Sequence, residues 1–428
     1  MINWLSKKIS ILGAGGSGIS AAKLGSYAGA KVLLSDTKSN IHDININNVS
    51  VEWGGHSNKV LESDFIIKSP GIPNNIDIIK KAKTKNIKII SEIEFAGSFT
   101  KLPIIAITGS NGKTTTVELL NNIFKNAGYN SILGGNVGTP FSENVLCEIS
   151  KKYKDGLHLL ELSSFQLEQT ENLSLEIGCI LNISEDHLDR YKNYEEYINT
   201  KLKITKLINN NGFIVYNNND ETLRKKISGT KNSVSFSYTD LYKTNINTDN
   251  IHLKGKHNHS NIAAILAISN IYNISENIII NTLENFKSLP HRLEFIKKIN
   301  GISIYNDSKA TNIRSMVAAI DSFRENIVVV VGGLDKGNSN FLSAMEKFED
   351  KIKFISCYGE SGEKIFNMIK TKFSCCYNKL FSKAVSEAIL NSKKDDVLLL
   401  SPGCASYDQF GSYIERGNKF KQIIVGLT

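Results

Sequence analysis

The feature that most restricts the fold of this chain is a glycine- and lysine-containing loop at residues 109–114, with the sequence Gly-Ser-Asn-Gly-Lys-Thr. The apolar stretch Ile104–Thr108 precedes this loop, and a helical pattern over Thr114–Ala127 follows it. Glycines let the backbone turn its N–H groups toward phosphate oxygens, and the N-terminus of the next helix adds a favourable dipole. The sequence therefore predicts a parallel α/β domain that binds the phosphates of a nucleotide.

Within the loop, we expect Lys113 to reach the β- and γ-phosphates and the hydroxyl of Thr114 to hold Mg²⁺. The position six residues before Lys113 is Ile107, where the strict phosphate-loop pattern has glycine, so this loop is a shorter variant. Glu161 ends a later apolar strand, where such proteins place a magnesium ligand. Lys201 lies on a helix predicted over Tyr194–Ile208, and the residues alone place it on a solvated face.

A second glycine loop, Gly13–Gly18, follows the apolar strand Ile9–Leu12, and Asp36 ends the next predicted strand. The spacing fits the GxGxxG pattern of dinucleotide-binding folds. Glycine is also favoured here in any strand–helix–strand unit, because helix and strand pack closely. What the loop can bind is a diphosphate, whether in NAD or in a UDP-sugar.

The last third of the chain places polar loops after its predicted strands. His291-Arg292 precedes the first of these strands, and residues 306–312, 332–337 and 401–410 each follow one. Open α/β sheets bind ligands at the carboxyl ends of their strands. These loops therefore predict a further ligand site, although turn chemistry alone would explain any one of them.

Strand and helix patterns alternate in three segments, at 1–95, 96–289 and 290–428, and the second ends at Ser288-Leu289-Pro290. We therefore expect an α/β protein of three domains. The first is Rossmann-like, the second is a phosphate-loop domain with a parallel sheet, and the third is again Rossmann-like.

Composition excludes several other classes. The net charge is +9, but the lysines are scattered, which argues against a nucleic-acid site. No apolar run reaches the roughly 18 residues that a membrane helix needs, and the start of the chain lacks a signal-peptide core. The six cysteines show no CxxC spacing, so no zinc site is expected. These patterns predict a cytoplasmic protein without membrane insertion.

Taken together, the motifs resemble those of the Mur ligase family. The resemblance in the middle of the chain is carried by residues 109–114, Glu161–Gln166 and Asp186-His187. Residues 289–292, 306–312, 406–410 and 416–417 resemble one branch, which adds D-glutamate to UDP-N-acetylmuramoyl-L-alanine. The match spans nearly the whole chain.

This resemblance implies an ATP-dependent ligase of peptidoglycan precursor synthesis, which works through an acyl phosphate and acts as a monomer. It implies a UDP-binding first domain, a central ATPase domain with two Mg²⁺ ions, and a mobile third domain that receives the amino acid. The implied catalytic and metal-binding residues are Lys113, Thr114, Glu161, His187 and Lys201, the last as a carbamate that bridges to a metal.

The resemblance also assigns binding residues to each small molecule. The implied ATP-binding residues are Gly109, Ser110, Asn111, Gly112, Lys113, Thr114, Thr115, Asn258, Asn261, Arg292, Asp307 and Lys309. The implied UDP-substrate residues are Gly15, Ser17, Gly18, Asp36, Thr37, Ser69, Gly71, Asn136 and Ser163. The implied D-glutamate residues are Thr311, Lys336, Ser406, Tyr407 and Tyr413.

Three alternatives remain open. A folylpolyglutamate synthase resembles the central and last segments but gives no reason for the first glycine loop. A nicotinamide-dependent dehydrogenase would use that loop but not the phosphate loop. A non-catalytic nucleotide-binding module would not need ligand loops in all three segments.

Overall fold

The computed structural model describes residues 3–39, 44–151, 155–185, 190–248, 250–251, 253, 255–286, 289–324, 326–335, 337 and 340–426. The chain divides into two compact units. Met1–Ile246 with Ser260–Leu283 forms one unit, and Asn247–His259 with Glu284–Thr428 forms the other. None of the helices in the described ranges combines the length and the apolar character that a membrane crossing requires.

The first sheet is parallel and has five strands. Its strands are β1 (Lys8–Leu12), β2 (Lys31–Asp36), β3 (Val49–Trp53), β4 (Phe65–Lys68) and β5 (Lys88–Ser91), with helices α1 (Gly16–Tyr27), α2 (Asp77–Thr84) and α3 (Glu92–Gly97). The strand order is β3-β2-β1-β4-β5. Because this order reverses beside β1, the loop that follows β1 opens at the carboxyl edge of the sheet, where Rossmann-like folds bind ligands.

The second sheet is also parallel and has six strands. They are β6 (Ile104–Thr108), β7 (Ser131–Gly135), β8 (Leu157–Glu161), β9 (Leu175–Ile180), β10 (Ile208–Asn217) and β11 (Ser233–Phe236). The helices are α4 (Lys113–Asn126), α5 (Phe141–Lys151), α6 (Ser164–Leu167), α7 (Tyr194–Leu202), α8 (Glu221–Ile227), α9 (Lys256–Ile271) and α10 (Glu276–Asn285). The order is β11-β10-β9-β6-β8-β7. Every residue of β6 and β8 is buried, as expected for parallel strands covered on both faces.

The first two sheets belong to one unit because a single apolar core joins them. The ring of Trp4 packs against Phe95 and Phe99, with ring centroids 4.9 and 6.0 Å away. Polar contacts add to this packing, since the hydroxyls of Ser91 and Thr170 lie 2.6 Å apart. The loop after β1 and the loop after β6 are thus carried by one continuous body.

The third sheet is mixed. Its strands are β12 (Glu294–Ile299), β13 (Ile302–Asn306), β14 (Ile327–Gly332), β15 (Ile352–Tyr358), β16 (Cys375–Asn378) and β17 (Val397–Gly403). The helices are α11 (Ile313–Asp321), α12 (Phe341–Met345), α13 (Gly362–Ile369), α14 (Phe381–Leu390) and α15 (Tyr413–Val425). The order is β12-β13-β17-β14-β15-β16, and only β12 runs antiparallel to its neighbour. Apolar clusters cover both faces of this sheet.

The predicted three-domain α/β architecture is confirmed, with two corrections in detail. The helix predicted from Tyr194 to Ile208 is wrong at its end, because α7 stops at Leu202 and a 3₁₀ turn, Lys203–Leu207, leads into β10. Ile204 and Leu207 of this turn are buried, so packing fixes it. The antiparallel edge strand β12 was not predicted, because its sequence Glu-Phe-Ile-Lys-Lys-Ile does not alternate apolar and polar residues.

Candidate active site

The phosphate loop joins β6 to α4 at the carboxyl end of the second sheet. Gly112 has φ of 84°, and a Cβ built there would lie 2.3 Å from Oδ1 of Asn261. Only glycine fits this position, and the predicted ATP residue Asn261 packs directly against the loop. Lys113 Nζ donates to the carbonyl oxygens of Gly109 and Ser110, at 2.7 and 3.0 Å. The ammonium therefore lies on the loop itself, where a phosphate would bind.

Asn182, beyond the end of β9, clamps the phosphate loop from the neighbouring strand. Its Oδ1 accepts the amide of Asn111 at 2.9 Å, and its Nδ2 donates to the Asn111 carbonyl at 3.0 Å. Ser110 is held in turn by the hydroxyl of Tyr197, 2.9 Å from its own. Local sequence patterns indicate no such role for Asn182, because the contact depends on strands β6 and β9 being neighbours.

Glu161 joins the phosphate loop to a residue predicted to contact the UDP-substrate. Its side chain is buried, with 2% of the residue exposed. One carboxylate oxygen accepts the Thr114 hydroxyl at 2.7 Å, and the other accepts the Asn136 amide at 2.7 Å. A Cβ at Gly135 would lie 2.4 Å from the Glu161 carbonyl, so β7 can approach β8 this closely only with glycine. A carboxylate beside a hydroxyl is an oxygen donor set that suits Mg²⁺.

Lys201 is buried, with 2% of the residue exposed, so the expectation of a solvated face is wrong. Its Nζ donates to the Gly109 carbonyl at 2.9 Å and lies 4.9 Å from the ring centroid of Tyr197. Helix α7 therefore turns this lysine inward, onto the same carbonyl that Lys113 contacts. The side-chain nitrogens of Lys113 and Lys201 therefore meet at one point of the loop.

The first glycine loop is braced by Asp36. One oxygen of this carboxylate accepts the Ala14 amide at 2.6 Å, and the other accepts the Lys38 amide at 2.9 Å. Burial acts to raise the pKa of Asp36, but the two amide donors and the nearby charges of Lys38 and His56 together lower it below its usual value. A Cβ at Gly18 would lie 1.8 Å from the Gly13 carbonyl, which explains the glycine there.

The other predicted UDP-substrate residues lie on or beside this part of the unit. Ser69 Oγ lies 3.3 Å from the carbonyl of Gly13 and donates to it. Gly15, Thr37 and Gly71 are exposed, and Ser17 is half-buried. Ser163 caps α6 through a reciprocal pair of contacts with Gln166.

In the third sheet, a fully buried arginine organises the predicted amino-acid loops. Arg416 donates to Ser308 Oγ and Ser308 O, at 2.9 and 2.8 Å, to the Cys404 carbonyl at 3.0 Å and to the Tyr358 hydroxyl at 3.1 Å. It therefore joins the loops after β13 and β17 to the end of β15. In the sequence, Arg416 is only one of the residues that carry the family resemblance. Its contact partner Ser308 lies 108 residues away in the chain, so no local pattern reveals this role.

The other predicted ligand residues of this unit differ in exposure. Lys309 Nζ lies 3.9 Å from the ring centroid of Tyr413, a cation–π contact. Ser406 is buried, Thr311 and Arg292 are half-buried, and Tyr407 is 65% exposed. Asn258, in the same unit, is buried. His187 and Lys336 lie outside the described residues.

Asp307 is buried, and burial raises its pKa to about 7, although hydrogen bonds from Ser401 and the Leu293 amide oppose the shift. A folded-state pKa above the unfolded value of 3.8 means that the native state holds the proton longer. Stability from this group is present below pH 4 and lost as pH rises through 7.

We therefore expect Asp307→Asn to stabilise the protein at pH 8 by up to about 4 kcal/mol, because the amide introduces no buried charge. The amide oxygen can accept from the Leu293 N–H, and the amide nitrogen can donate to the Ser401 hydroxyl. The gain should shrink progressively between pH 7 and pH 4. Urea unfolding across this range measures it, with the exposed Asp350→Asn as the matched control. A gain that does not change with pH would contradict the burial argument.

The fold and the site together define a multidomain α/β protein with a phosphate loop that binds nucleotides. Models of the MurD-like N-terminal domain, the Mur ligase middle domain and the Mur ligase glutamate ligase domain match residues 7–91, 107–269 and 291–404. Among curated relatives, UDP-N-acetylmuramoylalanine–D-glutamate ligase of Thermoanaerobacter sp. (strain X514) is 35% identical, with 98% of each chain covered. The enzyme of the same name from Buchnera aphidicola subsp. Acyrthosiphon pisum (strain Tuc7) is 39% identical and covers 100% of this chain and 99% of its own. The chain belongs to the Mur ligase family.

Solved structures support the fold independently. A MurF ligase from Thermotoga maritima, crystallised with ADP, superposes with a TM-score of 0.63 at 17% identity, and each chain is covered completely. A pseudomurein peptide ligase type C from Methanothermus fervidus gives a TM-score of 0.59 at 19% identity, covering 99% of this chain and 100% of its own. At this level of identity the likeness concerns the fold alone.

Proposed function

We propose that this chain is an ATP-dependent ligase that adds D-glutamate to UDP-N-acetylmuramoyl-L-alanine in cytoplasmic peptidoglycan precursor synthesis. The observation that carries the proposal is the buried carboxylate of Glu161, bonded on one side to Thr114 and on the other to Asn136. It puts a phosphate-loop residue and a predicted UDP-substrate residue on the same side chain. The full-length relatives that carry this enzyme name support the same activity.

The chemistry follows from the weakness of a carboxylate as an electrophile. ATP converts it to an acyl phosphate, and Lys113 neutralises charge that develops on the phosphate oxygens during the transfer. The neutral amine of the amino acid then attacks the acyl carbon, and nearby cations stabilise the tetrahedral oxyanion. Water must be excluded, since it would hydrolyse the acyl phosphate.

Thr114 and Glu161 would hold Mg²⁺ through a hydroxyl and a carboxylate, whose oxygen atoms lie 2.7 Å apart and are ligands that Mg²⁺ prefers. We propose two magnesium sites, completed by His187 and by Lys201 as a carbamate. When bound, magnesium would supply electrostatic stabilisation of the phosphate oxygens. Glu161 has its two oxygens divided between Thr114 and Asn136, so the chain orients this carboxylate before any ion arrives.

For the amino acid, we propose Thr311, Lys336, Ser406, Tyr407 and Tyr413 as the binding residues. D-Glutamate has two carboxylates, and lysine and hydroxyl groups bind carboxylates by charge-assisted hydrogen bonds.

The proposed domain limits are 1–95, 96–289 and 290–428. We propose a monomer that works on small molecules, without nucleic acid.

The test is phosphate release from ATP with UDP-N-acetylmuramoyl-L-alanine and one amino acid at a time. D-Glutamate should support fast turnover, and L-glutamate, L-alanine, L-lysine and diaminopimelate should not. Lys336→Ala should mainly raise the KM for D-glutamate and leave the KM for ATP nearly unchanged. Faster turnover with another amino acid would contradict the proposed acceptor but leave the ligase chemistry standing.

The melting temperature with each ligand tests the other enzyme classes. A rise with folate or NAD, and none with the UDP-substrate, would favour a folylpolyglutamate synthase or a dehydrogenase.

A further inference from the structure

A buried ionic cluster joins the first sheet to the second, centred on Glu168. This carboxylate accepts hydrogen bonds from Asn74 Nδ2 at 2.7 Å, Tyr191 OH at 3.0 Å and Arg190 Nη2 at 3.1 Å. The ammonium of Lys68 lies 3.9 Å from it, and the two side chains are 1% and 9% exposed. Burial lowers the pKa of Lys68 to about 8, against the attraction of Glu168, so the ammonium is still charged at pH 7. None of these contacts involves the phosphate loop at residues 109–114.

Both cations of this cluster also hold the loop that follows β4. Arg190 Nη1 donates to the Pro70 carbonyl at 2.9 Å, and Lys68 Nζ donates to the Ile72 carbonyl at 2.7 Å. The Arg190 guanidinium lies 3.8 Å from the ring centroid of Phe165, which fixes its plane. Arg190 therefore bridges the loop and Glu168 with two different nitrogens, as only a guanidinium fork can.

The direction of the Pro70 carbonyl sets the direction of the next amide. A trans peptide unit is planar, and its C=O and N–H point to opposite sides. With the carbonyl held by Arg190, the N–H of Gly71 points away from the guanidinium. Within the described ranges this N–H donates to no protein acceptor. Gly71 is exposed, and a Cβ built on it would meet nothing within 4 Å. The result is a fixed donor beside open space.

This donor lies next to the first glycine loop. Ser69, two residues before Gly71, contacts Gly13 through its hydroxyl, and a Cβ on Gly13 would lie 3.6 Å from Ile72. Any ligand whose diphosphate occupies the glycine loop would thus find the Gly71 amide beside it. An anionic or polar oxygen is the acceptor that suits such a donor.

We propose that Arg190 is a positioning residue for the nucleotide-sugar, because it orients the Pro70–Gly71 peptide and so presents the Gly71 N–H to an acceptor oxygen of that ligand. The inference rests on the proposed function, since it takes the ligand to be a UDP-sugar. It assigns Glu168 the task of holding the guanidinium in place. The acceptor oxygen belongs either to the diphosphate or to the sugar-peptide.

Calorimetric titration of Arg190→Met with UDP-N-acetylmuramoyl-L-alanine, UDP and uridine tests the proposal. We expect the affinity for the full substrate to fall about 10-fold or more, as for a lost hydrogen bond to a charged or polar oxygen. A parallel loss for UDP would place the acceptor on the diphosphate, and a loss confined to the full substrate would place it on the sugar-peptide. Uridine affinity and the affinity for an ATP analogue should stay within about twofold.

Two further variants separate positioning from folding. Arg190→Lys keeps a cation but has only one side-chain nitrogen. We expect it to be more stable than Arg190→Met and still to bind UDP-N-acetylmuramoyl-L-alanine more weakly than the wild type. It is the variant to use if Arg190→Met does not fold. The matched control is Lys23→Met, which removes an exposed ion pair between Lys23 on α1 and Glu143 on α5. This ion pair also joins the first two domains, and its loss should leave the affinity for UDP-N-acetylmuramoyl-L-alanine unchanged. Unchanged substrate affinity in both Arg190 variants, or an equal loss for the ATP analogue, would overturn the inference. If the wild-type protein bound neither UDP nor the substrate, the proposed function itself would fail.

Discussion

Lys113→Ala should lower turnover by two to three orders of magnitude while the fold survives. Its ammonium lies against the carbonyls of Gly109 and Ser110, so it is already at the loop that receives the β- and γ-phosphates. Removing one such electrostatic donor from a phosphoryl-transfer site typically costs about 3–4 kcal/mol of transition-state stabilisation. The loss should be mainly in kcat, because charge on the transferred phosphoryl group develops during the reaction.

The matched control for this variant is Lys125→Ala, an exposed lysine on the same helix, α4. It changes the net charge equally and should leave turnover within about twofold of the wild type, as is usual for an exposed site. Phosphate release measures kcat, and thermal unfolding measures stability for both variants. If Lys113→Ala kept more than roughly a tenth of the wild-type rate, another group would have to supply the charge, and the assigned role would be wrong.

The sequence predicts the parts of this molecule that depend on local patterns. The strand Ile104–Thr108 has the predicted bounds because an apolar run ends there at a glycine turn. The helix that follows begins at Lys113, one residue earlier than predicted. The phosphate-loop motif, the strand before it and the helix after it are adjacent in the chain, so the local sequence determines all three.

Other parts of the site depend on contacts between distant segments. Lys201 meets Gly109 across 92 residues, and its burial follows from how α7 packs, which residue spacing alone does not determine. Local sequence patterns therefore place this lysine on the surface, and only the family resemblance indicates a role for it. Asn182 and Arg416 belong to the same class, since each joins loops that become neighbours only through the order of strands in a sheet.

Lys201→Ala should lower turnover by roughly two orders of magnitude or more, and small carboxylates such as formate or acetate should restore part of it. We expect this loss because the Lys201 side chain is buried beside the phosphate loop and donates to the Gly109 carbonyl. As an ammonium it adds a second cation to that already supplied by Lys113. As a carbamate it would instead carry an anionic group, which suits a proposed role as a magnesium ligand near Glu161.

Space decides whether rescue works, and this supplies the sharpest control. Alanine leaves a cavity in which formate can take the place of the carbamate, whereas Lys201→Met removes the nitrogen but fills most of the same volume. We therefore expect formate to restore the alanine variant and not the methionine variant. Formate should have no effect on Lys206→Ala, which removes an exposed lysine from the turn that follows α7. Intact-protein mass measured without acid should show one added CO₂ in the active wild type. An unmodified lysine in a fully active preparation would refute the carbamate, and equal rescue of both Lys201 variants would show that formate acts elsewhere.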